Sequence, residues 1–501
     1  MADWQSTISP AALARLLRTA RLPEPTAGHR PAYLLLARQV QLLLGEGRLA
    51  VGTRLPAERE LAVALELSRT TIATAYQTLR TEGYLHSRRG AGSWTALPEG
   101  SSPPGDALFP LPVEERERLI DLGVASPPAP QALLARAAAR AVELLPAYAG
   151  GHGHYPTGLL VLREVLAQRY TERGLPTTPD QLLVTTGALS ALVLVRSTLL
   201  RTGERVAVDS PSYAHVLQGL RSHGARLVAV PQHRESPEQL PRWDPVQWQR
   251  VLQGAAPRLA YVIPDFHNPT GALIDEDQRR TLLAAARAAG TVVVVDETMA
   301  ELNWRTPDER MPRPTAALDR AAQVITVGSA GKVAWGGLRV GWVRAAPALI
   351  RQLADERVHH DLGTPVLEQL VCATMLGEQL AELRALRLDQ LRSSAAALLP
   401  ALRDRLPHWR FAEPAGGLSL WLDTAGLSGA ALARAGERTG VRIAAGSRFG
   451  VDGAFEAYIR LPLTVPPAAA AATAERLAAT AELAARDTGQ AWGDERPALA
   501  V

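Results

Sequence analysis

Three long apolar runs between residues 259 and 328 share one pattern. Each run, at residues 259–264, 291–295 and 323–328, leads into a polar loop, and stretches rich in Ala, Leu and Arg lie between them. This alternation is typical of parallel strands in a doubly wound α/β sheet, where strands are buried on both faces. Ligands of such sheets bind at the carboxyl ends of the strands. We therefore expect the polar residues that follow the runs to converge on one crevice: Asn268, Asp296 and Lys332.

The first hundred residues have helical periodicity instead. A short helix is predicted at residues 9–19, and two more near 32–46 and 57–65. After a tight turn, Ser68 is a good N-cap for a further helix that ends near Glu82. Two helices joined by a short turn, with basic and polar residues on the first turn of the second, predict a helix-turn-helix whose second helix enters the major groove.

A small hairpin is predicted after this helix, at residues 83–94. It places Arg88 and Arg89 beside a glycine turn, and a basic "wing" of this kind suits phosphate contact. Residues 1–30 are an N-terminal extension to the predicted DNA-binding unit, residues 31–95. The alternative is a helical hairpin that serves only as a dimerisation arm.

Composition shifts divide the rest of the chain. Residues 96–118 are rich in Pro, Gly and Ser and predict an extended linker. A large α/β domain is expected at 119–365 and a smaller, helix-rich domain with two strands at 366–485. The segment 486–501 lacks periodicity and predicts a mobile tail.

Charge and cysteine content indicate the partners and the cellular compartment of the protein. Net charge is +4, and residues 1–100 contain 12 Arg against 8 acidic residues, so this segment accounts for the whole excess and suits nucleic acid. The single cysteine, Cys372, excludes an internal disulfide framework, and no signal peptide or apolar run near 18 residues is found. These features predict a cytoplasmic protein without membrane contact.

Lys332 is the only lysine among 54 Lys and Arg residues. Arginine cannot be deprotonated in a protein and forms no Schiff base, so a lysine is needed where a neutral amine must attack a carbonyl. Lys332 is therefore a candidate catalytic residue and covalent anchor for an aldehyde cofactor such as pyridoxal 5'-phosphate (PLP). The alternative is compositional drift that left one lysine by chance.

The neighbouring motifs resemble fold type I PLP enzymes, the aspartate aminotransferase class. The resemblance rests on Asn268-Pro269-Thr270-Gly271, on Asp296 at a strand end, and on Ser329-x-x-Lys332 followed by Gly337-Leu338-Arg339. It implies a Schiff base (aldimine) between Lys332 and PLP, with Asp296 at the pyridine nitrogen. The cofactor-binding residues that it implies are Thr186, Gly187, Ala188, Tyr213, Asn268, Asp296, Ser329, Lys332 and Arg339.

Some of these assignments have a plain alternative. Tyr213, which matches the aromatic residue that stacks on the ring, could be a core tyrosine, and Arg339 could be a surface arginine. Arg460 sits where the family binds the α-carboxylate of a substrate or effector, although a strand arginine on the surface is the alternative. Tyr155 resembles the tyrosine lent by the other subunit to the phosphate, but its spacing is shorter than in aminotransferases.

The N-terminal unit resembles the winged helix of the GntR regulators. The matching residues are Arg54-Leu55-Pro56-Ala57-Glu58-Arg59, Ser68-Arg69-Thr70-Thr71, Tyr76 and Glu82-Gly83-Tyr84-Leu85. The DNA-binding residues are then expected to be Arg54, Arg59, Ser68, Arg69, Thr70, Thr71, Arg88 and Arg89.

A GntR-like winged helix linked to an aminotransferase-like domain resembles the MocR subfamily of GntR regulators. That resemblance implies a homodimer that binds a double-stranded DNA operator and senses an amino compound, or PLP itself, at Lys332. Two departures, Thr298 where related regulators carry Tyr and Gly331 where many enzymes carry Ser, favour sensing over turnover. The alternatives are an aminotransferase with an accessory DNA-binding domain, and a DNA-binding protein whose cofactor domain is only a dimerisation scaffold.

Overall fold

The computed structural model describes residues 7–19, 31–45, 49, 51–88, 92–96, 119–236, 238–306 and 309–488. The predicted linker lies outside these residues except for residue 96, and so does the predicted tail except for residues 486–488, which are helical. The predicted wing residue Arg89 and the side chain of Arg88 also lie outside the described part.

The N-terminal unit, which we call the head, is a winged helix with one additional helix. Its elements are α1 Pro10–Thr19, α2 Ala32–Gly45, α3 Glu58–Leu65, α4 Arg69–Thr81, and the antiparallel hairpin of β1 Leu85–Arg88 and β2 Gly92–Thr95. Leu13 and Leu17 of α1 are buried in the same apolar core as α2 to α4. The helix assigned from sequence to an N-terminal extension is therefore packed in the core of the head.

The second part of the chain starts with the short strand β3 Ile120–Asp121 and contains a seven-stranded sheet. The strands are β4 Leu182–Thr185, β5 Arg205–Ser210, β6 Arg226–Pro231, β7 Leu259–Val262, β8 Val292–Asp296, β9 Val324–Ser329 and β10 Gly341–Arg344. Their order is β4-β10-β9-β8-β7-β5-β6, and β10 is antiparallel to both of its neighbours. The pairings among β5 to β9 are parallel, as predicted for β7, β8 and β9, while β6 and β10 were not predicted.

Helices cover both faces of this sheet. They are α5 Gln131–Leu144, α6 Leu160–Glu172, α7 Ala188–Leu199, α8 Ala214–Ser222, α9 Pro245–Ala255, α10 Glu276–Ala289, α11 Pro347–Arg357 and α12 Val366–Leu376. Successive strand residues alternate between two apolar cores: Val293 and Val295 belong to one and Val294 to the other. This explains why the strands read as continuous apolar runs. Helix α12 packs in the first core, so the large domain extends one helix beyond the division expected at residue 365.

The remaining elements form the small domain with its own core. They are α13 Leu380–Arg405, β11 Ser419–Asp423, α14 Gly429–Thr439, β12 Val441–Arg442, β13 Ala444–Ala445, β14 Tyr458–Pro462 and α15 Ala470–Thr488. Strand β3 pairs in parallel with β12, and Leu122 and Ala125 pack in the small-domain core. Residues 120–126, which we call the strap, thus cross from the start of the large domain to the small one. Ala430 of α14 packs in the core of the head.

Candidate cofactor site and DNA-reading helix

Lys332 lies in the loop that follows β9, at the carboxyl end of the parallel strands. Its Nζ donates a hydrogen bond to the carbonyl oxygen of Ala125 in the strap at 2.7 Å. Burial, followed by the positive charge of Arg460, lowers the pKa of Lys332 from 10.5 to about 8, while Asp296 opposes the shift. A substantial fraction of the side chain is then a neutral amine near neutral pH, which is the form that attacks a carbonyl.

Asp296 ends β8 and is 4% exposed. Its Oδ2 accepts a hydrogen bond from the Tyr261 hydroxyl at 2.7 Å, and its Oδ1 accepts one from the backbone N–H of Thr298 at 2.9 Å. A carboxylate held in this way, within electrostatic range of Lys332, is suited to pair with a protonated ring nitrogen.

A cup of backbone N–H groups and one guanidinium forms where β4 meets α7. Gly187 precedes the first turn of α7 with φ 89°, a left-handed conformation that favours glycine. The guanidinium of Arg339 lies beside it and donates to the Thr186 carbonyl at 3.2 Å. A Cβ on Gly187 would meet that guanidinium at 2.7 Å, and one on Gly341 would meet the Ala188 nitrogen at 2.5 Å. Backbone N–H groups at a helix N-terminus beside a cation bind phosphate well.

Two further observations concern this cup. Arg339 itself has φ 52°, which costs a non-glycine residue roughly 1–2 kcal/mol and indicates that the surrounding loop constrains it. Ser329 ends β9, and its Oγ accepts a hydrogen bond from the backbone N–H of Gly331 at 3.0 Å. A Cβ at position 331 would meet this Oγ at 3.1 Å, so glycine there leaves room for the Ser329 hydroxyl.

An ion pair between the buried Arg357 and the exposed Asp361 contacts the residues of the cup. Arg357 is 2% exposed and donates to Asp361 at 2.6 Å and to Thr364 at 2.9 Å, and it also bonds to the carbonyl of Val184 in β4. Asp361 in turn accepts a hydrogen bond from the Thr186 hydroxyl at 3.3 Å. The pair therefore connects the end of α11 to the predicted phosphate-binding residues.

Arg460 lies on β14 of the small domain and faces the same crevice. It is 3% exposed, it bonds to the carbonyl of Gly123 in the strap, and its Nε has no partner among the described residues. Burial lowers its pKa to about 10, so it stays charged at neutral pH. The surface-arginine alternative does not hold for this residue. A buried guanidinium with a free N–H is suited to bind a carboxylate.

The two remaining candidates in the crevice are Tyr213 and Asn268. Burial, then the negative charge of Asp296, raises the pKa of Tyr213 to about 12, while Arg460 and Arg339 oppose the rise, so its ring lies among these groups. Asn268 is 8% exposed, and its Oδ1 accepts a hydrogen bond from Ser419 of the small domain at 3.4 Å.

The residues present fit PLP. The crevice combines an amine with a lowered pKa, a buried carboxylate, an aromatic ring and a cationic cup, which match the aldehyde, ring nitrogen, ring plane and phosphate of the cofactor. The remaining candidate, Tyr155, is half-buried against the first large-domain core and makes an edge contact with Tyr148.

Sequence reasoning missed three parts of the site. The sequence gives no indication of the strap carbonyls of Gly123 and Ala125, because every residue has a backbone carbonyl. Tyr261 lies inside an apolar strand, where a tyrosine resembles any core aromatic residue. Asp361 follows α11, and only its two-sided bonding to Arg357 and Thr186 reveals its position.

Helix α4 of the head, which is predicted to read DNA, has a side-chain cap at its N-terminus. Ser68 Oγ accepts from the Thr71 N–H at 3.0 Å and bonds to the Thr70 and Thr71 hydroxyls at 3.0 and 2.8 Å. Ser68, Arg69 and Thr70 are exposed and Thr71 is half-buried. The turn before them contains Glu66 in a left-handed conformation, φ 57°.

The two other described DNA-binding candidates also lie on the surface of the head. Arg59 is exposed on α3. Arg54 is exposed and lies over the Trp94 ring, 6.0 Å from its centroid, beside the hairpin. Tyr76 of α4 is buried and donates to the Pro56 carbonyl at 3.0 Å, which joins the reading helix to the segment that contains Arg54.

Comparison with known proteins agrees with this geometry. Residues 117–478 match the family described as aminotransferase class I and II, and residues 33–94 match the gntR family of bacterial regulatory proteins. The chain is 28% identical over 422 residues to the HTH-type transcriptional regulator YdfD of Bacillus subtilis, covering 78% of this chain and 84% of the relative. It is 34% identical over 291 residues to the 2-aminoadipate transaminase of Thermus thermophilus, covering 56% and 70%.

A solved structure shows the same fold. LysN, the α-aminoadipate aminotransferase of Thermus thermophilus complexed with N-(5'-phosphopyridoxyl)-L-leucine, superimposes with a TM-score of 0.67 at 29% identity, covering 77% of this chain and 98% of that one. The chain therefore belongs to the class I and II aminotransferase family and has a GntR-type winged helix in front of that domain. This architecture is that of the MocR-type transcriptional regulators, and PLP is the cofactor of the large domain.

None of the helices in the described part of the chain combines the length and the hydrophobicity needed to cross a membrane.

Proposed function

We propose that this regulator binds an operator in double-stranded DNA through α4 and the hairpin, and that an amino compound at Lys332 changes its affinity for that operator. One observation carries the proposal: the only lysine of the chain has a lowered pKa and lies in a crevice beside Asp296 and Arg460. An amine in that setting is suited to reversible covalent binding of a carbonyl. PLP itself is the second candidate signal, and the cytoplasm, where operator DNA lies, is the expected compartment.

Each group in the crevice has a distinct part in this proposal. PLP, when bound, supplies an aldehyde carbon that a free primary amine can take over from a lysine. Lys332 provides the amine that is released when an effector amine takes its place, and Asp296 pairs with the ring nitrogen. Arg339 and the N–H groups of residues 186–188 hold the phosphate, so the cofactor stays bound while Lys332 is free. Tyr213, Asn268 and Ser329 complete the cofactor-binding set.

Arg460 would select the effector. Its Nε is buried and lacks a partner among the described residues, and its NH2 bonds to the strap carbonyl of Gly123. An effector carboxylate would satisfy the guanidinium better than one carbonyl does, because a bidentate ionic pair has two charge-assisted hydrogen bonds. Binding such an effector would therefore exchange the Arg460 contact with the strap for a contact with the ligand. We propose that the effector is an amino acid or a related amine with a carboxylate.

The test measures operator binding and covalent loading together. DNA upstream of the protein's own gene would be titrated with holoprotein in the presence of PLP and a panel of amines, and borohydride would then fix the cofactor for peptide mapping. We expect the label on Lys332 and one or more amines that alter DNA affinity. Lys332→Ala should bind DNA but lose the response, whereas the exposed control Arg351→Ala should respond normally. A Lys332→Ala protein that still switches would refute the covalent mechanism.

The DNA-reading residues can be tested separately. We propose that Arg69, at the exposed start of α4, reads a base edge, so Arg69→Ala should cost about 1–3 kcal/mol for the operator and relax its specificity. Arg54, Arg59, Arg88 and Arg89 are proposed to contact phosphates, and replacing Arg88 or Arg89 by Ala should weaken binding to all sequences and flatten its salt dependence. Arg15→Ala on the exposed face of α1 is the control. Normal operator binding by Arg69→Ala would contradict the placement of the reading helix.

A second function, an aminotransferase with an accessory DNA-binding domain, is favoured by the 34% identity to a transaminase. It predicts many turnovers with an amino donor and a 2-oxo acid, whereas the regulator predicts at most a partial reaction. The threonine at position 298, half-buried beside Asp296, has no phenol to extend into the crevice, which argues against efficient turnover. A colourless purified protein would instead indicate a scaffold without cofactor.

We also propose that the protein is a homodimer, because the aminotransferase fold family is typically dimeric. In that assembly Tyr155 would contact the phosphate held by the neighbouring subunit. Sedimentation velocity should give twice the mass of one chain. Tyr155→Phe should then weaken PLP binding without altering the dimer, whereas Tyr148→Phe, its neighbour in the edge contact, should leave PLP binding unchanged.

A further inference from the structure

Tyr261 occupies the strand next to the one that ends in Asp296. In the β7–β8 register Tyr261 lies opposite Val294, and Asp296 follows two residues later on the same face of β8. The phenol donates to Asp296 Oδ2 at 2.7 Å, and the Thr298 N–H donates to Oδ1 at 2.9 Å. Each carboxylate oxygen thus has a donor from the chain itself, one from a side chain and one from the backbone.

The Tyr261 hydroxyl can only act as a donor here. Burial, and then the negative charge of Asp296, raises the pKa of Tyr261 well above its ordinary value of 10, so the phenol is neutral at physiological pH. A hydrogen bond donated to a carboxylate favours its ionised form, and a buried carboxylate oxygen without a donor favours the neutral acid. Tyr261 is 2% exposed, which leaves no room for solvent to replace it as donor.

We propose that Tyr261 is a positioning residue that holds the carboxylate of Asp296 in the orientation in which it can pair with the ring nitrogen of bound PLP. A carboxylate held there would stabilise a proton on that nitrogen, and the protonated ring withdraws electrons most strongly. The inference rests on PLP binding at Lys332, and it is independent of the effector and of the operator. It assigns a function to a strand tyrosine that touches neither Lys332 nor the predicted phosphate cup.

A matched control separates this role from ordinary packing. Tyr170 is also buried, at 4% exposure, but its hydroxyl accepts a hydrogen bond from Trp342 Nε1 at 3.0 Å and lies in the opposite core. Tyr261→Phe and Tyr170→Phe each remove one buried hydroxyl and keep the ring that fills the core. Both variants should therefore fold with a similar loss of stability, which thermal unfolding will verify.

The experiment uses holoprotein loaded with PLP that is ¹⁵N-labelled in the ring. In the wild type and in Tyr170→Phe we expect the ring nitrogen signal of a protonated pyridine. In Tyr261→Phe the signal should move toward the neutral value, and the PLP dissociation constant should rise by about tenfold, because one charge-assisted hydrogen bond is lost.

The possible outcomes are distinct. An unchanged nitrogen signal in fully loaded Tyr261→Phe would overturn the positioning role, even if that variant were less stable. The same displacement in Tyr170→Phe would also overturn it, because the effect would then follow from loss of any buried hydroxyl. A wild-type protein that binds no PLP would refute the proposed function itself, which is a different failure from an unshifted signal in a loaded variant.

Discussion

The lowered pKa of Lys332 makes a quantitative prediction about cofactor capture. Only the neutral amine reacts with the PLP aldehyde, so the capture rate of apoprotein should follow the neutral fraction of this lysine. Its pKa is about 8 because of burial and the charge of Arg460, against 10.5 for an ordinary lysine. At pH 7.5 the neutral fraction is then about 24%, compared with about 0.1% for an ordinary lysine, an advantage of roughly 240-fold.

The assay is stopped-flow absorbance of apoprotein mixed with PLP between pH 7 and 10. The rate should rise through pH 8 and become constant above about pH 9. A free lysine derivative under the same conditions corrects for the ionisations of PLP itself, and Lys332→Arg should not react at any pH. A corrected rate that still increases tenfold per pH unit between 9 and 10 would refute the reasoning, because the amine would then have its ordinary pKa.

Substitution of Arg460 tests what causes the lowered pKa of Lys332. Its positive charge disfavours the charged form of Lys332, so Arg460→Gln should raise the pKa of the lysine and move the rise in capture rate to higher pH. Burial is the larger cause and is retained in this variant, so the new midpoint should stay below 10.5. A midpoint that moves to lower pH would show that Arg460 does not act through its charge.

Three further predictions concern stability and cofactor retention. Leu17→Ala in α1 should lower the free energy of unfolding of the head, measured in urea, by about 2–5 kcal/mol, because Leu17 is 2% exposed. The control Ala11→Gly, at an exposed position of the same helix, should lower it by about 1 kcal/mol. Ser68→Ala should cost about 0.5–2 kcal/mol in thermal unfolding through loss of the α4 cap, and an unchanged melting temperature would contradict the cap. Arg357→Met should destabilise the fold by about 1–3 kcal/mol, because the buried Val184 carbonyl and Thr364 lose a donor, and it should also weaken PLP binding. An unchanged PLP affinity would contradict a role of Arg357 in holding the cup.

Much of the fold could be predicted because the hydrophobic periodicity of its strands and helices is visible in the sequence alone. The runs at 259–264, 291–295 and 323–328 overlap β7, β8 and β9, and Asp296 and Lys332 lie within electrostatic range of each other. Ser68 was recognisable as an N-cap because a hydroxyl before a helical pattern has few other uses. In both cases the pattern lies within a few consecutive residues, so a single sequence is enough to recognise it.

The rest depends on contacts between distant parts of the chain. Strand β10 has only four residues, two of them Gly341 and Arg344, and its position between β4 and β9 creates a strand where the local pattern predicts none. Helix α1 looked like an isolated extension because its partners in the head core follow it in sequence. The strap contributes through backbone carbonyls, and α12 is apolar enough to suit either domain. The hydrophobic periodicity of the sequence does not reveal any of these features.

The packing of Ala430 has a consequence for how the head is held. This alanine of the small domain is 4% exposed within the core of the head, so the two units share buried apolar surface. The preceding residue, Gly429, has no space for a side chain, since a Cβ there would meet the Tyr458 carbonyl of β14 at 2.5 Å. Strand β14 also carries Arg460. The spacing between the strand that carries Arg460 and the head therefore depends on two residues without bulk, and a larger side chain at position 430 would have to displace part of the head core.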